Sequence, residues 1–238
     1  MAVFKHLPTG KRFFFAHIPR TAGRFIETNL LVKNKFSWDD DWEKFGIKRM
    51  YESYKGIELG HFHREYYEKY LDCADIPHVS VIRNPIDRFI SASLYINRVY
   101  GQSAEGTYTE ESTQQCQELM EDENYFWTML ENFPCDESKN WYRSQLDFLS
   151  DKTNIWRFED GFKDEFVSWL SGIIGVDLEF QEDLPYITQP DEGRKLKKTP
   201  KLIHNLKKLY RKEIEQLYPE LAAPFEEGTE ADLKTSSS

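Results

Sequence analysis

Apolar side chains recur along this chain in two rhythms. Short apolar runs bounded by turn residues predict strands over residues 12–16, 57–62, 78–82 and 153–158. Helical spacing of Phe25, Ile26 and Leu30 predicts a helix over 24–31. Phe89, Ile90, Ser93 and Leu94 predict another over 87–100, with Asp87 as an acid in its first turn. Phe162, Phe166, Leu170 and Ile173 mark a third that stops between Gly172 and Gly175. The cleanest helix is the last, where Ile203, Leu206, Tyr210, Ile214 and Leu217 step by 3, 4, 4 and 3. Residues 35–55 read as a loop with short helical turns, 101–120 as an exposed connection into a helix, and 184–200 as a Pro-bounded, increasingly basic loop.

Strands alternating with helices predict an α/β fold, a central and mostly parallel sheet flanked by helices, with a ligand site at the carboxyl ends of the strands. The length of 238 residues suffices for one sizeable core, read here as a single domain over 1–225. An acidic and then Ser-rich tail is expected over 226–238. Hydrophobic content of 39% and charged content of 30% belong to a soluble globular protein. The aromatic share of 15% is mostly core, with a minority left to stack on a sugar or base.

Charge narrows the partners. A net charge of −10 argues against a nucleic-acid groove or an anionic membrane as the main partner, so any phosphate site must be a local basic pocket. The same charge favours a neutral or lightly charged substrate over a heavily sulfated polymer. Cys73, Cys116 and Cys135 form no CxxC pair and read as reduced thiols. No apolar run is long enough for a signal peptide or a membrane span, which predicts a cytoplasmic protein. Nothing in the sequence bears on oligomeric state.

The chemistry concentrates in two segments. His17-Ile18-Pro19-Arg20-Thr21-Ala22-Gly23-Arg24 carries the chain from a strand through a Pro-basic-Thr-small-Gly turn into a helix, the layout of an anion-binding loop. It is not a Walker A loop, because no GxxxxGK[ST] occurs. The second segment, Arg83-Asn84-Pro85-Ile86-Asp87-Arg88-Phe89-Ile90-Ser91, again ends a strand and opens a helix. Asn84-Pro85 turns the chain so that the Arg83 guanidinium and the Ser91 hydroxyl face one ligand. Two such units in one sheet suit a nucleotide phosphorylated at both its 5′ and 3′ positions.

Together these segments resemble the loops of sulfotransferases that use 3′-phosphoadenosine-5′-phosphosulfate (PAPS), in particular the carbohydrate group related to heparan-sulfate 2-O- and 6-O-sulfotransferases. The first is similar to that family's HIPKTGGT phosphosulfate loop and the second to its RDPxxRFxS motif for the 3′ phosphate. Asn140 to Leu146 resembles its NxxxQ segment, and Trp156 to Asp160 a strand-end segment containing Glu159. The likeness runs over roughly residues 12–215. It departs at Arg20, where the family has lysine, at Ala22, where it has a second glycine, and at Arg24, where it has threonine. Arg20 keeps the charge as a planar fork instead of a compact ammonium.

The resemblance implies a P-loop NTPase-like three-layer sandwich and an in-line transfer of a sulfuryl group from PAPS to a hydroxyl of a carbohydrate or glycoconjugate. PAP would be the other product, and no metal would be needed. It places Pro19, Arg20, Thr21, Ala22, Gly23 and Arg24 on the 5′ phosphosulfate, and Arg83 and Ser91 on the 3′ phosphate. Lys195 and Lys198 would close over the adenosine phosphates. The family often sets a Gly-His after its second strand, which points to His61 as base, with His63 two residues along an extended strand as its competitor. Glu65 and the acids Asp39, Asp40 and Asp41 are lesser candidates, and His17 is expected to orient the loop backbone. Two other readings of the same residues stay open: a small-molecule kinase of the P-loop class, and a catalytically idle nucleotide-binding scaffold.

Overall fold

A computed structural model describes residues 2–39, 53–54, 57–100, 110–132, 136–179 and 196–222. The sequence readings for residues 40–52, Lys195 and the tail at 226–238 lie outside these. The chain opens with a hairpin, β1 (Ala2–His6) and β2 (Arg12–Ala16), followed by a short helix α1 (Gly23–Phe25). That helix runs into a π-helical segment, Ile26–Leu31, and then into β3 (Phe36–Trp38). A small two-stranded sheet of β4 (Ser53–Tyr54) and β5 (Ile57–Glu58) leads through a 3₁₀ turn, Leu59–His61, to α2 (Arg64–Tyr70). Next come β6 (His78–Ile82), α3 (Pro85–Tyr100), α4 (Glu110–Glu121), α5 (Glu123–Glu131) and α6 (Asp136–Tyr142). The chain continues with β7 (Thr153–Arg157), α7 (Asp164–Ile174), α8 (Pro200–Leu209) and α9 (Arg211–Leu217).

The main sheet has five strands in the order β3-β1-β2-β6-β7. Its β2-β6-β7 half is parallel, while β1 pairs antiparallel with both β2 and β3. The sheet is therefore mixed, half as parallel as the alternation of elements implied. β1 has no counterpart among the predicted strands. Its Ala-Val-Phe start is completed only by pairing with β2, where Phe4 stacks on Phe13 with ring centroids 5.7 Å apart.

Both faces of the sheet are covered. Phe13 and Phe15 of β2, with Val79 and Val81 of β6, pack on one side against Ile26, Leu30, Phe166, Leu170 and Ile174. Phe14 and Ala16 point the other way, towards Tyr67, Leu71, Phe148 and Tyr218. A strand buried on both faces reads as an unbroken apolar run, as β2 does, and each fully buried phenyl ring contributes roughly 2–3 kcal/mol. A third core joins α3 to α5, α6, α8 and α9 through Phe89, Phe126, Tyr142, Leu206 and Tyr210.

Other differences from the sequence reading have local causes. The strand expected over 57–62 extends only over Ile57–Glu58 and pairs with β4, outside the main sheet. Beyond Glu58 the segment holds Gly60 and lacks β-branched residues, and it curls into the 3₁₀ turn. The last helix divides at Tyr210, which is buried and donates its hydroxyl to the Tyr142 carbonyl at 2.8 Å. α7 ends as expected on a left-handed Gly175, with Gly172 inside it. Among the described residues no helix is long and apolar enough to cross a membrane.

Candidate active site

The two anion-loop segments leave the sheet side by side. β2 and β6 are parallel neighbours with Ala16 opposite Ser80, whose hydroxyl donates to the Ala16 carbonyl at 2.8 Å. His17 and Arg83 thus emerge at the same carboxyl edge, where ligands of parallel sheets are bound.

The first loop is tightly wound. Arg20 and Ala22 both take positive φ, 68° and 69°, a region that non-glycine residues enter at about 1–2 kcal/mol each. Left-handed residues in such a turn fold backbone N–H groups into a concave, anion-attracting surface. Thr21, fully buried between them, donates its hydroxyl to the Ile18 carbonyl at 2.9 Å and so braces the turn from within. Gly23 is required by contact: a Cβ there would lie 2.1 Å from Cδ2 of His17. Pro19 is buried in the turn and Arg24 is exposed at its end.

Arg20 reaches across to the second loop. Its Nε donates to Ser91 Oγ at 3.0 Å, and Arg83 Nη1 donates to the Arg20 carbonyl at 3.3 Å. Arg83 also lies over the Phe158 ring, 4.4 Å from its centroid. Burial lowers the Arg83 pKa, opposed by the carboxylates of Asp87 and Glu159. Three residues singled out in the sequence, Arg20, Arg83 and Ser91, therefore meet at one place. Lys198 is ion-paired with Asp87 at 2.8 Å, in the first turn of α3 near Arg83.

The turn at Arg83 and Asn84 is held from several sides. Asn84 caps α3, its Oδ1 accepting from the Ile86 N–H at 3.0 Å ahead of which Pro85 occupies the first helical position. Glu159 accepts from the Asn84 N–H at 2.7 Å and from the Tyr218 hydroxyl at 3.0 Å. Burial, with Glu159 alongside, raises the Tyr218 pKa, so that hydroxyl stays a donor. Gln145 clasps Arg83 through both backbone groups, accepting from its N–H at 2.9 Å and donating to its carbonyl at 2.7 Å. Behind Gln145 sits Glu213, 1% exposed, which accepts from Gln145 Nε2 at 2.6 Å and from Ser144 Oγ at 2.8 Å. Arg88 is wholly buried and donates to the Trp141 and Arg143 carbonyls at the end of α6.

The candidate bases separate. His61 lies in the 3₁₀ turn, its ring 5.5 Å from that of His17 and 5.1 Å from that of Trp141, both nearly edge-on. Asn140 anchors it by donating to its carbonyl at 3.0 Å. His63 is not on a shared strand face with His61, as expected from an extended segment. It occupies the N-cap position of α2 without a side-chain capping bond, and its ring packs on Tyr66 at 4.8 Å. Asp39 serves the sheet edge, 2.6 Å from Arg12 Nε, and Glu65 is exposed on α2.

Sequence reasoning assigned no role to Glu27. It is 3% exposed, and its Oε1 stands 3.2 Å from His17 Nδ1. Its signal was an acid on the inward side of a helix otherwise marked by Phe25, Ile26 and Leu30. Phe158 and Trp141, aromatic residues in otherwise polar segments, were similarly legible as residues but not as neighbours of Arg83 and His61.

A family profile described as "Sulfotransferase family" matches residues 9–169. Among solved structures, the chain is similar to a sulfotransferase from Alicyclobacillus acidocaldarius at 17% sequence identity and a TM-score of 0.36. That match covers 68% of this chain and 60% of the other, so the chain spans about three-fifths of that relative's length. No curated protein matches it.

Proposed function

The chain belongs to the sulfotransferase family, and on that premise we propose that it moves a sulfuryl group from PAPS to a hydroxyl of a carbohydrate or small glycoconjugate. The observation that carries the reading is the meeting of Arg20, Arg83 and Ser91 at the carboxyl edge of β2 and β6. Two guanidinium groups and a hydroxyl beside a left-handed backbone turn form a donor set suited to two anionic groups. We read the turn as P-loop-like in layout, although it lacks the Walker lysine.

When bound, PAPS supplies the sulfuryl group and a phosphate leaving group. Arg20 and the backbone from Pro19 to Arg24 bind the 5′ side and oppose the charge that grows there. Thr21 keeps the turn in shape. Arg83 and Ser91 hold the 3′ phosphate, with Gln145 and Glu159 fixing the Arg83 turn. Lys198, with Lys195, lies in the segment that would close over the nucleotide. His61 takes the proton of the acceptor hydroxyl; its approach to the first loop, through His17, favours it over His63. Trp141, itself buried, packs edge-on against the His61 ring and helps to hold it.

Calorimetric titration with adenosine 3′,5′-bisphosphate in the absence of magnesium tests the donor site, and a screen of mono- and oligosaccharides with labelled PAPS tests transfer. Binding and label transfer are expected. A chain that ignores the bisphosphate but binds ATP with magnesium would be a kinase, and one that binds without transferring would be a scaffold.

A further inference from the structure

Behind the anion loop lies a buried pair to which the proposed donor site assigns no contact. Glu27 and His17 are 3% and 8% exposed, with Oε1 and Nδ1 3.2 Å apart. Burial opposes ionisation of Glu27, but the groups beside it, His17 first among them and His61 after it, together hold the carboxyl below its ordinary range. A carboxylate in so dry a place depends on the polar groups beside it, and among the described residues His17 stands against it at 3.2 Å.

His17 is in turn confined on every described side. Phe15 lies along its ring at 5.9 Å, Gly23 sits directly against it, and His61 meets it at 5.5 Å with the rings 77° apart. The π-helical segment sets Glu27 at the root of this contact. The Val32 N–H donates to the Glu27 carbonyl at 3.0 Å, five residues back, in the widened turn that such segments introduce at functional sites. The His17 ring thus lies between the Glu27 carboxylate and the His61 ring.

We propose that Glu27 and His17 form a positioning pair for His61: the carboxylate fixes the His17 ring, which orients His61 and offsets the charge His61 gains. The inference rests on His61 as the base. As the acceptor oxygen bonds to sulfur, its O–H bond breaks and the proton goes to His61, while the bond from sulfur to the leaving phosphate oxygen breaks. His61 then carries a positive charge in a buried setting, with the Glu27 carboxylate one ring away. The logic is that of a carboxylate steadying a catalytic histidine from behind, here relayed by a second imidazole.

Glu27→Gln keeps the shape and removes the charge. In ¹⁵N–¹H spectra of the histidine rings, recorded without nucleotide, the His17 and His61 signals are both expected to shift in this variant. Neither should shift in Glu68→Gln, which alters an exposed pair with Arg64 on α2. In turnover, kcat is expected to fall by about 100-fold, the order of loss for a misplaced catalytic group. KM for PAPS and affinity for adenosine 3′,5′-bisphosphate should stay within about twofold, since the pair touches neither phosphate. An unmoved His61 signal, or equal losses in donor affinity and turnover, overturns the proposal. If Glu27→Gln does not fold, Glu27→Asp, with the charge on a shorter stem, is read in the same spectra and must displace both rings. Failure of the sulfotransferase reading would show separately, as wild-type protein that binds no bisphosphate.

Discussion

Arg20 Nε donates to Ser91 Oγ at 3.0 Å, joining residues 71 positions apart in sequence. The contact makes one site of two loops, because Arg83 also donates to the carbonyl of Arg20. If the two side chains hold an anion as proposed, loss of either removes contacts worth about 1.5–3 kcal/mol. Arg20→Ala and Ser91→Ala are each expected to weaken adenosine 3′,5′-bisphosphate binding by roughly 10- to 150-fold. Arg20→Lys should lose less, keeping charge but not the fork. Calorimetry with the three variants checks this, and wild-type affinity in Arg20→Ala would remove Arg20 from the site.

Neighbouring loop positions should respond in opposite directions to nearly opposite changes. Ala22 sits at φ 69°, so Ala22→Gly is expected to relieve about 1 kcal/mol of backbone strain, less the added freedom of the unfolded chain. Gly23→Ala would drive a methyl into the His17 ring and should destabilise the fold. Thermal melts of the pair decide it; a Gly23→Ala protein as stable as wild type would mean that His17 does not rest there.

Glu213 is the buried anchor of the Arg83 turn. Replacing Gln145 by Leu removes its Nε2 donor from Glu213 while the Ser144 hydroxyl and the residue-145 backbone N–H still donate to the carboxylate, so the cost is that of one lost hydrogen bond to a buried charge, about 1.5–3 kcal/mol. Gln145→Leu is expected to melt several degrees lower and to bind the bisphosphate more weakly. The double variant with Glu213→Leu should recover part of the stability and none of the binding.

His78 gives a pH signature. It is buried on β6, its Nε2 2.7 Å from the Cys73 carbonyl and its Nδ1 3.2 Å from Ser150 Oγ, an arrangement that suits the neutral ring. Burial lowers its pKa from 6.5, against the opposing bond to Cys73. Above pH 6.5 the ring is neutral folded and unfolded; below it the unfolded chain takes the proton first, so stability falls until the folded ring also titrates. Melting temperature measured from pH 8 down to pH 5 should decline below about 6.5, and His78→Asn should flatten that part of the curve.

The two nearby histidines should separate in catalysis. His61→Ala is expected to lower kcat by about 10²–10⁴-fold, as for loss of a general base, whereas His63→Ala acts through the start of α2 and should lower stability more than turnover. Comparable kcat losses would return His63 to contention.

The sequence alone was enough for the parallel strands β2 and β6, because runs such as Phe13-Phe14-Phe15 must be buried on both faces, and its apolar Ile155-Trp156 also marked the edge strand β7, which stays partly exposed. It also singled out Arg20, Arg83 and Ser91, because two strand-to-helix turns each carry an arginine and the second adds a hydroxyl in the helix that follows. β1 escaped because its pairing is made across a hairpin, and the segment at 57–62 was over-extended because periodicity cannot say which sheet a strand joins.

What tertiary structure decided is adjacency. Which strand edges lie side by side, which of two histidines two residues apart faces the loop, and where a lone inward glutamate finds its partner all depend on long-range packing. Local sequence carries propensity and burial, and these determine elements and the kinds of residue at their ends. The approach of Glu27 to His17, of His17 to His61, and of Arg20 to Ser91 is set by chain segments that meet only when both faces of the sheet are filled.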